Sequence, residues 1–149
     1  MRGTLAIAYM ALATQCAGQD GRQILVKDCN GLGQVPAPMT EDIDLFVDVG
    51  DGTDSMMLFC DRPTTVVISG PYGFHMSSNA VDLRLTNLRF VIKDKAKFSL
   101  GSREVGCGGE TVGSASFGST LEIQQSGERI FEVMEGSEAT FAVPVLFEG

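Results

Sequence analysis

The feature that most constrains this chain is the period of its apolar runs. Ala80 to Leu85 places Val81, Leu83 and Leu85 on one side and Asp82 and Arg84 on the other. A period of two marks a strand with one buried face. Short apolar or β-branched runs recur at Gln23–Lys27, Ile43–Val49, Ser55–Cys60, Thr64–Ser69, Leu88–Ile92, Phe98–Leu100, Thr120–Gln124, Arg129–Met134 and Ala139–Phe147. Between them stand turn signals such as Asn30-Gly31, Gly50-Asp51-Gly52, Asp61-Arg62-Pro63, Gly70-Pro71-Tyr72-Gly73 and Gly136. Thr86-Asn87 reads as a hairpin connection. Leu32 to Glu41, with Pro36 and Pro38, and the Gly/Ser-rich Gly101 to Gly118 read as loops. Beyond the N-terminal leader no segment has a helical period, and there is no internal repeat. The pattern predicts an all-β domain, a two-sheet sandwich of about 7–9 antiparallel strands.

Charge narrows the function classes. The chain carries a formal net charge of −8, and its 11 basic residues are scattered. Nucleic acid is therefore not an expected partner, because phosphate binding needs clustered Lys and Arg. Residues 1–18 read as a secretory signal peptide: Arg2 is followed by an apolar run from Gly3 to Ala13, with cleavage expected after Ala13 or Gly18. The remainder, 19–149, is expected to form one domain, secreted, periplasmic or on the cell surface. No stretch is long and apolar enough to cross a membrane as a helix.

Cys16, Cys29, Cys60 and Cys107 form no CxxC pair, and His75 is the single histidine, so a zinc site is not expected. Outside the cytosol these cysteines would be oxidised. If all four remain, two disulfides have three possible connectivities; cleavage after Gly18 leaves three cysteines.

Catalytic chemistry is not expected. His75 follows a turn, with no carboxylate near it in sequence, and there is no GxSxG elbow. No cofactor is called for. Asp48, Asp51 and Asp54 lie around Gly50 and Gly52 and offer oxygen ligands of the kind calcium takes. Their spacing fits neither an EF-hand loop nor a nonapeptide repeat. Gly106-Cys107-Gly108-Gly109 lacks the Lys and the helix of a phosphate loop.

Three features occur together: Cys29 just after a short N-terminal strand; Cys60 within Met57-Leu58-Phe59-Cys60, followed by another β run; and the alternating tail Ala139–Phe147. This arrangement resembles the chaperone–usher pilins and the related spore coat protein U-like secreted domains. The resemblance implies an immunoglobulin-like sandwich with a Cys29–Cys60 bridge, leaving Cys16 and Cys107 as the remaining pair. It also implies an assembly strand carrying Phe141, Val143, Val145 and Phe147, filled by a donor segment around Ile24 and Val26. The physics would be β-augmentation, in which main-chain bonds supply affinity and alternate side chains fill pockets. The tail lacks the penultimate Tyr common among pilins, and the segment before Cys29 is short, so a complete sandwich also fits.

The expected function is therefore a non-enzymatic structural or adhesive subunit of a surface fibre or coat, with protein subunits as partners, self-assembly first. A self-contained binding module for carbohydrate, calcium-assisted or not, and a virion coat or decoration protein are the alternatives.

Overall fold

A computed structural model describes residues 21–48, 55–101, 112–118 and 130–148 of the chain. Its strands are β1 (Arg22–Val26), β2 (Ile43–Val47), β3 (Ser55–Ser69), β4 (Gly73–Ser78), β5 (Asp82–Lys93), β6 (Lys97–Leu100), β7 (Ser114–Gly118), β8 (Phe131–Val133), β9 (Glu138–Phe141) and β10 (Val145–Phe147). One 3-10 turn, Cys29–Gln34, lies between β1 and β2. One sheet has the order β1-β2-β4-β6-β9 and the other β10-β7-β5-β3, with β8 beside β5. Every strand pair among the described residues is parallel.

This overturns the antiparallel immunoglobulin-like sandwich. In a sandwich of hairpins, neighbouring strands run in opposite directions. Here the chain circles, and each circuit lays its strands beside those of the circuit before. The architecture is a parallel β-solenoid.

The register shows the circuit. Along the first sheet the pairing steps from Arg22 to Ile43, Phe74, Phe98 and Ala139, with a different interval at every step. The other sheet divides into two columns. Asp82–Thr86 of β5 pairs with β7, whereas Phe90–Ile92 pairs with β8. The same break occurs on β3, whose register against β5 shifts between Phe59 and Thr64. The circuit therefore has three faces: column A (β1, β2, β4, β6, β9), column B (the first halves of β3 and β5, then β7 and β10) and column C (their second halves, then β8).

Asn87 makes one of the corners. Its φ of 66° is left-handed, a conformation Asn tolerates better than most residues. Its buried side-chain amide donates to the Cys60 carbonyl of the preceding circuit, 2.8 Å away. What reads in sequence as the tip of a hairpin is thus a bend inside one strand. The split expected at Asp61-Arg62-Pro63 is likewise an irregularity within β3.

The core is built of rows. Inward positions repeat in register up each column, so like residues stack. Ile24, Leu45, Met76, Leu100 and Phe141 form one row. Phe90 stacks on Phe131 and Phe117 on Phe147, with ring centroids 5.0 and 5.6 Å apart. Such ring pairs contribute roughly 0.5–1.5 kcal/mol beyond the area they bury. Leu83 and Leu85 face this core as the alternation predicts, but Val81, outside β5, is exposed.

Candidate functional site

A solenoid has two ends, and each must deal with an unpaired rung. At the N-terminal end, Ile24 and Val26 are buried on β1. The 3-10 turn then folds over the rung and buries Leu32. Asp28 caps that turn by accepting from the Gly31 N–H at 3.1 Å. Gln34 Nε2 donates to the Leu25 carbonyl, which faces away from β2. Cys29 and Cys60 lie at disulfide-bonding distance, with Cα atoms 5.2 Å apart, and tie the turn to the corner of β3. Apart from Cys60, every one of these devices comes from the short stretch between Arg22 and Gln34.

The C-terminal end is built differently. Among the described residues β8, β9 and β10 are each paired along one side only. Successive residues of a strand point their N–H and C=O to opposite sides. The bonds Ala142 N–H to Leu100, Glu148 N–H to Phe117 and Met134 N–H to Ile92 fix which residues face the solenoid. By alternation, Phe131, Val133, Ala139, Phe141, Val145 and Phe147 turn their backbone groups outward, along the end. Their side chains belong to the inward rows, and this last rung has no described rung above it. Phe131, Phe141 and Phe147, one from each face, meet with centroids 5.3, 5.8 and 6.0 Å apart. Phe147 remains 48% exposed although its register partner Phe117 is fully buried. Among the described residues the end is an apolar floor rimmed by strand edges that no further strand pairs.

No family model matches the chain, and no curated protein or solved structure matches it.

The residues expected from sequence fall as follows. The proposed assembly strand is two strands: a turn through Ala142-Val143-Pro144 leaves Phe141 in column A and carries Val145 and Phe147 to column B. Val143 lies in that turn, packed on the core. The donor residues Ile24 and Val26 sit at the opposite end of column A from Phe141, paired with β2 of their own chain. Asp48 donates its N–H to the Val26 carbonyl and so extends the β1–β2 ladder. Asp51, Asp54, Cys16, Cys107 and the leader 1–18 lie outside the described residues. Among the described residues no group of three His, Cys, Asp or Glu side chains is arranged to hold a metal ion, and no helix is long and apolar enough to cross a membrane.

Sequence reasoning missed one further surface. A groove of about 580 Å³ crosses the outer face of column B, over Asp82, Arg84, Ser114, Met57 and Leu146. Arg84 pairs with Glu148 at 3.0 Å, and the Ser114 hydroxyl donates to Asp82. The outward halves of the alternating strands were its only signal, and they carry no information about which strands lie side by side.

Proposed function

We propose that this chain is a structural subunit of an exported fibre or coat whose building unit is a dimer, formed by strand pairing between the C-terminal ends of two copies. The last described rung, paired along one side only among the described residues, carries this reading. A floor of three phenylalanines inside a rim of strand edges with no partner among the described residues is complemented by another strand edge over another apolar floor, and a second copy supplies one. Unpaired edges over apolar surface are the template for chain-to-chain β pairing. Export is part of the reading, because a Cys29–Cys60 disulfide suits an oxidising compartment.

Sedimentation over a concentration series tests the assembly. The wild-type chain is expected to self-associate, and Val145→Pro to suppress this. The Val145 N–H points away from β7, so proline there removes an edge donor without touching the ladder. A chain that stays monomeric throughout overturns the reading. Export is checked by intact mass, which should match a chain beginning at Thr14 or Gln19.

The groove on column B supports a second reading, a module for an extended neutral glycan. Asp82, Ser114 and Arg84 would bind its hydroxyls, and Met57 and Leu146 its apolar C–H faces. Thermal shift against a set of soluble oligosaccharides, lost in Asp82→Ala, tests it.

A further inference from the structure

Stacking brings together a set of residues that the sequence keeps far apart. On the outer face of column A, the register aligns Gln23, Asp44, His75, Ser99 and Thr140 in one row across five strands. Adjacent members stand one strand spacing apart, about 4.8 Å. Within the row, His75 Nδ1 and Ser99 Oγ are hydrogen-bonded at 2.7 Å. Both side chains are half-buried. Asp44 holds the next position on the other side of His75 and is 1% exposed. Thr140 holds the next position beyond Ser99 and is exposed.

We propose that Ser99 is a nucleophile activated by His75, and that this row transfers acyl groups from carboxylic esters. The roles follow the order of the row. A hydroxyl becomes a competent nucleophile when a base within hydrogen-bond reach takes its proton and a third group holds that base. His75 is the base, and the Asp44 carboxylate is the positioning residue that favours the imidazolium. The Thr140 hydroxyl is placed to donate to the oxygen on which negative charge develops.

The step balances within the row. Ser99 Oγ adds to the ester carbonyl carbon, and its proton passes to His75 Nδ1. The tetrahedral adduct collapses with cleavage of the carbonyl carbon–alkoxy bond, and the departing alkoxide takes the proton from His75. Water then attacks the acyl-serine by the same route, releasing the carboxylic acid and restoring Ser99. Asp44 is buried, His75 and Ser99 are half-buried and Thr140 is exposed, so an ester would reach Ser99 from the Thr140 side of the row. This activity belongs to column A, and the assembly reading does not depend on it.

The absence of catalytic chemistry expected from sequence rested on spacing. Asp44, His75 and Ser99 are far apart along the chain, but the distances between them are the pairing intervals of column A, so each circuit returns to the same row.

An organophosphonofluoridate probe, which phosphonylates activated serines, tests the proposal on the full chain. The expected result is one adduct per chain by intact mass, mapped to Ser99 and absent in Ser99→Ala. His75→Gln should slow labelling about 100-fold or more at an unchanged melting temperature. Asp44→Asn should displace the pH profile of labelling, an effect that loss of packing alone would not produce. A wild-type chain unlabelled at Ser99 overturns the proposal, as does a folded His75→Gln chain labelled at the wild-type rate. If His75→Gln does not fold, the wild-type pH profile decides: labelling independent of pH between about 5 and 8 overturns it.

Discussion

The two ends of the solenoid solve one physical problem in opposite ways. At the N-terminal end, local sequence covers the rung: a 3-10 turn buries Leu32, Gln34 takes an outward carbonyl, and Cys29 is tied to Cys60. At the C-terminal end no described rung covers the inward row, and Phe147 is half exposed while Phe117 beneath it is buried. The covering of a rung, and not its composition, separates core from surface here. A covered end stabilises the monomer, and the end with no described rung over it is the one we propose to pair.

Four variants break or sharpen this contrast. The largest effect is expected from Cys29→Ala with Cys60→Ala. Their bridge closes a sequence separation of 31 residues, which in the chain-entropy account contributes about 3–4 kcal/mol. The melting temperature should fall by roughly 10 °C, and an unchanged melt would show that the bridge does not hold the N-terminal end. Leu32→Ala comes next, at about 2–3 kcal/mol by denaturant titration, because it leaves a cavity under the turn. A loss below about 1 kcal/mol would mean that the turn is not a true cover.

Phe147→Ala is the mirror of that experiment. The same kind of truncation at the open end should cost the monomer about 1 kcal/mol or less, since half of the ring is already in water. Its main effect should instead be weaker self-association on sedimentation. Equal losses of monomer stability for Leu32→Ala and Phe147→Ala would erase the distinction between the ends. The smallest effect is expected from Gln34→Ala, about 0.5 kcal/mol, because its bond to Leu25 is exposed. Amide exchange would register this variant best, as faster exchange along β1.

Much of the strand content was legible. The runs from Ile43 and Phe98, and the two halves of β3 and β5, coincide closely with observed strands because one-sided burial enforces a period of two. Strand direction was not legible. A solenoid wall, like a sandwich sheet, has one face on the core and one on solvent, so both produce the same alternation. Thr86-Asn87 was misread for a related reason: a left-handed Asn serves a hairpin tip and a solenoid corner equally well. The circuits themselves were hidden by their unequal lengths. The step from Arg22 to Ile43 is the shortest in column A and the step from Phe98 to Ala139 the longest, which leaves no fixed period to detect.

The candidate sites divide in the same way. The apolar character of Phe141, Val145 and Phe147 could be read directly, but not that a turn through Pro144 assigns them to two faces. His75 stands out in the sequence as the single histidine, but nothing local relates it to Asp44 and Ser99, which it meets only after a full circuit.

The amino-acid sequence alone determined which residues turn inward and where the chain bends, because alternation and turn chemistry act over a few neighbouring residues. Only the tertiary structure decided which strands lie side by side, in which direction, and which side chains share a row. Those outcomes depend on how whole circuits register against one another, and the energy of that registry is spread over rows whose members are a full circuit apart in the chain.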